Sequence, residues 1–375
     1  MTLRDTLTKL KYRKRLINVF KSAGLFLGDA ERPFFPKIHS VKLFPQFTSI
    51  IFTIPNGLDP KLVTKNAYVF RQYFGKSIEL EGDIKRFRLT VFTTTIPVKL
   101  AYKIDAILPV VADHKLGIIC GKDRTGQYVS FDLTTQPHIL IAGETGSGKS
   151  TQLRSILTTL ILTKKPSDLR LYLGDCKKSE FHLFRNVEHV QCVLSSPHDI
   201  REMLCEIKAE LDRRSDLTEV FGVSHVDELP AEHRVPYLVV AIDEFVMLRK
   251  DADIMDILTE VVAIGRTLGV FAILSMQRPN AKVLDTTIRA NLTVSMGFKL
   301  RDITEARIVN TPGAHEIETQ GRFIMNSDKL YEIQAPYLTM EQARELLNPF
   351  VIAEGEVKKV APNPEELTEK DVFND

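Results

Sequence analysis

The sequence predicts an α/β protein whose larger domain contains a doubly wound parallel sheet. From Pro137 to about Leu347, short apolar runs alternate with helical stretches, the order typical of α/β domains. Most of these runs lack polar alternation, as expected for strands buried on both faces of a parallel sheet. The predicted strands are His138–Ala142, Leu169–Leu173, Val190–Leu194, Tyr237–Ile242, Phe271–Ser275 and Val294–Phe298. Predicted helices between them include Lys149–Leu162, Asp199–Arg214 and Asp253–Thr267.

The composition is that of a folded globular protein and limits the possible classes. Of the 375 residues, 44% are hydrophobic and 26% are charged, which excludes disorder as the main state. The net charge is only +2, so any basic surface must be local. No apolar run reaches the roughly 18–20 residues of a membrane span, and the N-terminus shows no signal-peptide pattern. We therefore expect a cytoplasmic protein, with peripheral recruitment to a membrane as the alternative.

The four cysteines are widely spaced and include no C-x-x-C pair. This spacing argues against a disulfide framework and against a zinc site. The four are Cys120, Cys176, Cys192 and Cys205.

Changes in pattern along the chain predict four parts: a basic N-terminal segment (1–33), a small α/β domain (34–115), the larger α/β domain (116–348) and an acidic flexible tail (349–375). The small domain has strand patterns in Ser40–Ile54, Ser77–Leu80 and Phe87–Phe92, and a helix over Pro60–Phe74 opened by Asp59. Glycines in Leu116–Asp132 suggest a hairpin leading into the larger domain. The basic segment could contact anionic phosphates of lipid or DNA, dock on a partner, or remain a solvated helix face.

One motif dominates the chemistry of the sequence. Gly143 to Ser150 reads G-x-x-x-x-G-K-S, between an apolar strand and a helix, which is the context that a phosphate-binding loop requires. Its backbone N–H groups and the helix N-terminus favour phosphate oxygens, Lys149 should reach the β- and γ-phosphates, and Ser150 should ligate Mg²⁺. The predicted ATP-binding residues are Gly143, Glu144, Thr145, Gly146, Ser147, Gly148, Lys149, Ser150 and Thr151.

Two further strand ends complete the predicted site. Asp243 and Glu244 follow the apolar strand Tyr237–Ile242, so we expect Asp243 to hold Mg²⁺ and Glu244 to polarise the attacking water. Gln277 follows the strand that ends at Met276 and can sense the γ-phosphate from a position between the acidic strand and the loop. The predicted catalytic residues from this pattern are Lys149, Glu244 and Gln277.

The loop and three other ordered stretches resemble the FtsK/SpoIIIE DNA translocases, within the RecA-like HerA–FtsK ATPases. The loop stretch runs from His138 to Ser150, and the hairpin Leu116–Asp132 is similar to the one that enters the motor domain in that family. Leu211–Arg214 is similar to a family helix that ends in paired arginines. Gly265–Asn291, with Gly-Arg-Thr-Leu-Gly, Ser-Met-Gln-Arg-Pro and Ile-Arg-Ala-Asn, follows the closing pattern of the family.

The resemblance implies a RecA-like motor domain in a homohexameric ring that uses ATP to move double-stranded DNA. It also implies that Arg266 is an arginine finger that enters the site of the neighbouring subunit; from the residues alone, Arg266 is merely a basic residue near a helix end. The chain departs from the family division proteins in lacking membrane spans and a recognisable C-terminal winged helix. Its compact form is most similar to the coupling proteins of Gram-positive conjugative elements, which implies a relaxase and a membrane-bound transfer apparatus as partners.

Two other functions stay open at this level. The chain could be a ring helicase that acts on single-stranded DNA in plasmid or phage replication, or an adaptor in which nucleotide only gates docking of a relaxase. Lys177, Lys178 and Arg185 are candidates for DNA contacts in a channel, and solvent-exposed charges are the equally simple interpretation.

Overall fold

The computed structural model describes residues 3–29, 32–75, 77–280, 284 and 286–352. Most of the predicted acidic tail (353–375) therefore lies outside the described residues. The chain divides into two compact units. The first comprises Met1–Leu100, Cys120–Val129 and Tyr331–Pro336, and the second comprises Ala101–Ile119, Ser130–Leu330 and Tyr337–Asp375. This division does not follow the predicted limits, since the first unit includes the basic N-terminal segment and its long stretch ends at Leu100.

The first unit contains a four-stranded antiparallel sheet with the strand order β1-β2-β4-β3. Its elements are α1 (Leu3–Ser22), β1 (Lys37–Leu43), β2 (Phe47–Thr53), α2 (Lys61–Lys65), α3 (Ala67–Phe74), β3 (Ile78–Gly82) and β4 (Arg86–Phe92). The predicted strand pattern Ser40–Ile54 is thus a two-stranded hairpin.

The basic N-terminal segment forms helix α1, and one side of this helix belongs to the core of the first unit. Leu16, Val19 and Phe20 are fully buried, at the spacing that places them on one helix face. The ring of Phe20 lies 5.1 Å from that of Phe52 in β2, centroid to centroid. The half of α1 that packs in this way is fixed by apolar burial, so the helix is not a separate segment as predicted.

The predicted helix Pro60–Phe74 is broken at Asn66 into α2 and α3. The Asn66 side-chain amide donates to the carbonyl of Leu62 at 3.0 Å, a local bond of the kind that competes with regular helix geometry. Its beginning follows the prediction, since the Asp59 carboxylate accepts the backbone N–H of Lys61 at 2.9 Å.

The remaining elements include the strands and helices of the predicted larger domain. They are α4 (Ile104–Val111), β5 (Gly117–Lys122), β6 (Tyr128–Asp132), β7 (Ile139–Ala142), α5 (Lys149–Thr163), β8 (Leu169–Asp175), β9 (Val190–Leu194), α6 (Pro197–Val220), β10 (Tyr237–Asp243), α7 (Ala252–Leu268), β11 (Val270–Met276), α8 (Thr286–Asn291), β12 (Val294–Gly297), α9 (Ile303–Ile308), β13 (Arg322–Asn326), β14 (Leu330–Gln334) and α10 (Met340–Leu347). The predicted hairpin is β5–β6. Nowhere in the described ranges is a helix both long and apolar enough to cross a bilayer.

Seven strands that lie wholly in the second unit follow the order β13-β12-β7-β11-β10-β8-β9. The six from β12 to β9 are parallel, and β13 pairs with β12 in the antiparallel sense. The register pairs Met276 with Ala142 and Asp243 with Asp175. The carboxyl ends of β7, β8, β10 and β11 therefore meet at one edge, where ligands bind in open α/β sheets. The predicted doubly wound α/β fold is confirmed.

Helix α6 extends to Val220, six residues beyond its predicted end at Arg214. The Arg214 side chain is fully buried rather than exposed at a helix end. It donates to the carbonyls of Leu268 at 2.8 Å and Pro236 at 2.7 Å, and to the Glu210 carboxylate at 2.7 Å. This arginine thus ties α6 to the end of α7 and the beginning of β10.

Candidate nucleotide site at the carboxyl edge of the parallel sheet

The loop between β7 and α5 has a backbone that only particular residues allow. Gly146 and Gly148 have φ of +79° and +111°, in the region that favours glycine. A Cβ at Gly148 would also lie 2.7 Å from the Cα of Gly321. The loop is tied to the chain beside it, because the Gly321 N–H donates to the carbonyl of Ser147 at 2.8 Å and the Glu144 N–H to that of Lys299 at 2.9 Å. The glycines at 146 and 148 are therefore required by geometry.

Three polar side chains form a buried cluster behind this loop. The Lys149 ammonium group donates to Asp243 Oδ1 at 3.0 Å and to Ser275 Oγ at 2.8 Å. Ser275 Oγ donates to the same Asp243 oxygen at 2.7 Å. The Lys149 and Asp243 side chains are only 4% and 3% exposed. Buried charges of this kind must be paired and hydrogen-bonded, so removal of one member leaves another uncompensated.

Glu244 lies beside this cluster in an uncommon backbone conformation. Its φ of +54° and ψ of +47° are left-handed, which turns the chain sharply at the end of β10. Glu244 Oε1 accepts the backbone N–H of Gln277 at 3.1 Å, and Oε2 accepts the Lys177 ammonium group at 2.7 Å. Both carboxylate oxygens are therefore held by donors from neighbouring strand ends.

Gln277 faces the phosphate-binding loop. The Thr145 hydroxyl donates to Gln277 Oε1 at 3.1 Å. Since Gln277 also donates its backbone N–H to Glu244, this residue joins the loop to the acidic pair. Such a position is suited to sense a group bound at the loop.

The predicted residues border a cleft of about 490 Å³. Its lining comprises Glu144, Thr145, Gly146, Gly148, Lys149, Ser150, Thr151, Lys177, Ser179, Glu180, Asp243, Gln277 and Gln320. Gly143 and Ser147 do not line it: a Cβ at Gly143 would lie 2.6 Å from the Cβ of Phe298, and Ser147 is buried. Their fit to the predicted binding role is thus through the backbone.

Arg266 is not one of the described residues that line the cleft. It is exposed in the last turn of α7. A second cleft of about 370 Å³ shares Glu144, Thr145 and Gln277 with the first and adds Arg278, Arg301 and Glu305. Two arginines therefore stand closer to the loop than the predicted finger does.

Three residues at the site were not given a role there by the sequence. Ser275 is a buried polar residue at the end of an otherwise apolar strand, and that contrast was the available signal. Lys177, predicted as a candidate DNA contact, lies in the cleft and pairs with Glu244, whereas Lys178 and Arg185 are exposed. Asp175 is buried and accepts the N–H groups of Ser179, Glu180 and Phe181 at 3.0–3.1 Å. No sequence pattern announced these last two contacts.

Cys176 adjoins the acidic residues and is chemically quiet. Burial, together with the carboxylates of Asp243, Asp175 and Glu244, raises the pKa of its thiol to about 12. A thiol with such a pKa carries almost no thiolate near neutral pH and is a poor nucleophile. The chemistry of the site therefore belongs to the carboxylates, the lysines and the loop.

The parallel sheet, the glycine-bound loop and the acidic strand end together define a P-loop ATPase fold of the FtsK/HerA type. In agreement with this class, residues 110–234 match the sequence pattern of the FtsK/SpoIIIE family. This stretch of the chain is an FtsK/SpoIIIE domain.

Two relatives in sequence are DNA translocases named FtsK. The protein of Tropheryma whipplei (strain TW08/27) is 30% identical over 246 residues, which is 60% of this chain and 33% of that protein. The protein of Oceanobacillus iheyensis is 28% identical over 282 residues, 70% of this chain and 36% of that protein. The chain thus spans about a third of the length of these relatives.

Two solved structures share the fold. The conjugation coupling protein TcpA of pCW3, in a monomer form with ATPγS, has a TM-score of 0.63 and 21% identity, and the match covers 90% of this chain and 99% of that one. EssC (ATPases 2 and 3) from Geobacillus thermodenitrificans has a TM-score of 0.61 and 18% identity, covering 68% of this chain and 51% of that one.

Proposed function

We propose that the chain is an ATPase that moves double-stranded DNA as a homo-oligomeric ring, most simply a hexamer. The observation that carries the proposal is the buried Lys149–Asp243–Ser275 cluster behind a complete phosphate-binding loop, with Glu244 and Gln277 beside it. The printed names of the FtsK relatives support DNA as the substrate.

The residues of the cleft fit ATP with Mg²⁺. Ser150 and Asp243 both line it and offer the hard oxygen ligands that Mg²⁺ prefers. When bound, the ion would neutralise charge on the β- and γ-phosphates. The loop N–H groups and Lys149 bind the phosphates, Glu244 polarises the attacking water, and Gln277 reports the γ-phosphate to the acidic pair.

Arg266 completes the proposed site from a neighbouring subunit. Its exposure outside the cleft of its own chain is compatible with action in trans. An arginine supplied across an interface stabilises charge that develops on the γ-phosphate. If Arg266 does not do this, Arg278, Arg289 and Arg301 are the next candidates.

A translocation assay separates the proposal from its two alternatives. On a blunt duplex that carries a triplex-forming strand, ATP should drive release of the third strand. Preferential unwinding of forked substrates would instead indicate the ring helicase on single-stranded DNA. ATP binding without turnover on any DNA would indicate the nucleotide-gated docking adaptor for a relaxase.

The oligomeric part of the proposal has its own test. A slowly hydrolysed ATP analogue and duplex DNA together should give a closed ring by light scattering. A chain that stays monomeric under these conditions would contradict the ring. DNA contacts should be mainly to phosphates, so binding should weaken steeply with salt.

We further propose conjugative transfer or maintenance of a mobile element as the setting, with a relaxase and a membrane-bound transfer apparatus as partners. The likeness in fold to TcpA, whose printed name is conjugation coupling protein, motivates this proposal. Co-purification of the full chain with the relaxase encoded beside it would test the setting, and a clean failure in both nucleotide states would contradict it.

Helix α1 supports peripheral recruitment to an anionic membrane. It carries seven basic residues and one acidic residue. Opposite its packed face, Leu7, Leu10 and Ile17 are 61%, 57% and 43% exposed, and Lys11 and Lys14 are exposed among them. Exposed apolar side chains flanked by lysines suit a lipid interface, whereas DNA phosphates would gain nothing from the leucines.

Vesicle co-sedimentation tests this surface. The chain should bind vesicles that contain phosphatidylglycerol at low salt and bind pure phosphatidylcholine vesicles much less. Replacing Leu7, Leu10 and Ile17 by Ser should abolish binding, whereas the same change at the exposed Tyr68 and Ile84 should not. Equal loss in both variants would contradict the lipid surface, and so would a smaller oligomer after the α1 change, which would assign the face to a second copy.

A further inference from the structure

Lys177 and Glu244 form an ion pair that the proposed reaction cannot use as it stands. The Lys177 ammonium group lies 2.7 Å from Glu244 Oε2, and the Gln277 N–H occupies Oε1 at 3.1 Å. A carboxylate that polarises water needs a free oxygen to accept the hydrogen of that water. The ammonium group occupies one of the two oxygens and also neutralises the charge of the carboxylate.

The backbone that carries Lys177 is held firmly, so the movable part is its side chain. Buried Asp175 accepts three N–H groups from the following loop, and its carbonyl accepts that of Lys178 at 3.1 Å. The Lys177 side chain itself is one-third exposed. A long flexible lysine on a fixed loop can exchange partners without a change in the fold.

Lys177 shares the cleft with the loop that would hold the phosphates. Two lysines, Lys149 and Lys177, are among the described residues that line it. Lys149 is buried and held by two partners, whereas the Lys177–Glu244 pair is partly open to solvent. Partly exposed ion pairs are worth little, about 0.2–1 kcal/mol, so a phosphate group with higher charge can compete for the Lys177 ammonium group.

We propose that Lys177 is a positioning residue that acts as a latch on Glu244. With the γ-phosphate in the cleft, the ammonium group of Lys177 moves from the carboxylate to the phosphate, and Glu244 becomes free to polarise water. With the γ-phosphate gone, Lys177 returns and holds Glu244 inactive. This inference rests on the proposed ATPase function and assigns Lys177 to the nucleotide rather than to DNA.

Equilibrium binding of ATPγS and ADP tests the latch without any turnover. The ratio of the two affinities is measured for the unsubstituted chain, Glu244→Gln, Lys177→Met and the double variant. Lys177→Met should lower the preference for ATPγS about tenfold, as expected for loss of one hydrogen bond between charged groups. Glu244→Gln should raise that preference by up to about fivefold while Lys177 is present, because Lys177 is then already released.

The decisive result is the coupling between the two positions. In the Lys177→Met background, Glu244→Gln should leave the preference unchanged; an equal effect in both backgrounds would overturn the latch. Lys178→Met, at the adjacent exposed lysine, should behave like the unsubstituted chain, and Lys177→Arg should restore most of the preference. A chain that binds neither nucleotide would contradict the proposed function itself, so the two failures are distinguishable.

Discussion

The two lysine–carboxylate pairs of the cleft are neighbours with different environments. Lys149 and Asp243 are buried and share a third partner, Ser275. Lys177 and Glu244 are 33% and 9% exposed, and their ion pair involves the flexible end of a side chain at the rim. The first pair therefore belongs to the fixed interior of the site, and the second belongs to its movable edge.

This difference separates holding from switching. A buried pair keeps its geometry because loss of either partner leaves a charge without compensation. A partly exposed pair can dissociate at small cost, because water replaces the missing partner. We infer that the interior binds the phosphates and that the rim controls when water is activated. The predictions that follow test this separation, from the largest expected effect to the smallest.

Lys149→Ala should abolish ATP hydrolysis and weaken nucleotide binding severely. The phosphates lose their principal cation, and Asp243 is left buried without its ionic partner. Phosphate release and equilibrium ATPγS binding measure both effects. Hydrolysis within tenfold of the unsubstituted chain would show that the interior pair is not the phosphate-binding element.

Arg266→Ala should lower turnover by about 10³–10⁵-fold while ATP binding changes little, because an arginine finger acts mainly in the transition state. Mixing this variant with Lys149→Ala should recover activity at interfaces that pair an intact Lys149 with an intact Arg266. Phosphate release during a titration with duplex DNA measures the recovery. Full activity of Arg266→Ala alone would transfer the role to Arg278, Arg289 or Arg301.

Glu244→Gln should lower turnover by about 10²–10⁴-fold and keep ATP bound, since loss of a general base leaves the phosphate-binding loop and Asp243 in place. Single-turnover hydrolysis and ATPγS binding distinguish this variant from Lys149→Ala. Turnover close to that of the unsubstituted chain would remove Glu244 as the residue that polarises water.

Ser275→Ala should destabilise the second unit by about 1–3 kcal/mol, because the buried Lys149 and Asp243 each lose a hydrogen-bond partner. Chemical denaturation measures the change in the free energy of unfolding. Ser295→Ala, at a buried serine of the nearby strand β12, is the control and should have a smaller effect. Equal effects would mean that the interior cluster does not depend on Ser275.

The amino end of β7 gives a pH-dependent counterpart. His138 has φ of +63°, its Nδ1 accepts the N–H of Ala272 at 3.0 Å, and burial lowers its pKa from 6.5 to about 4. The folded state thus favours the neutral ring, so this stability is present above pH 6.5 and is lost as the pH falls towards 4. Between pH 7 and 5 the free energy of unfolding should decrease by about 2 kcal/mol from this group.

His138→Asn should flatten that dependence, because Asn tolerates a left-handed backbone and keeps a hydrogen-bond acceptor. Burial also lowers the pKa of His189, which leaves a weaker slope in the variant. Denaturation at pH 7, 6 and 5 makes the comparison. An unchanged slope in His138→Asn would contradict the assignment to His138.

Much of the fold and the centre of the site followed from local pattern. The apolar strands of the second unit are buried on both faces and therefore carry little polar alternation, which makes β8, β10 and β11 visible in the sequence. The loop from Gly143 to Ser150 was visible because its glycines meet steric requirements that hold for any chain. Asp243 and Glu244 were visible because they end an apolar strand.

The features that were missed depend on contacts between distant parts of the chain. Arg214 extends α6 because its partners lie at Pro236 and Leu268. Lys177 pairs with Glu244 across 67 positions, which only the neighbouring order of β8 and β10 explains. The packing of α1 on the first unit likewise depends on Phe52, far along the chain. Such pairings follow from tertiary structure and leave no local spacing to detect.

The steady-state rate of ATP hydrolysis with no DNA, with single-stranded DNA and with blunt duplex DNA tests the central claim most directly, with Lys149→Ala as the matched inactive control. The account expects a low rate without DNA, the largest stimulation by duplex DNA, and a decline of that stimulation as salt weakens phosphate contacts. A rate that no DNA changes, or that only single-stranded DNA raises, would contradict a motor that works on duplex DNA.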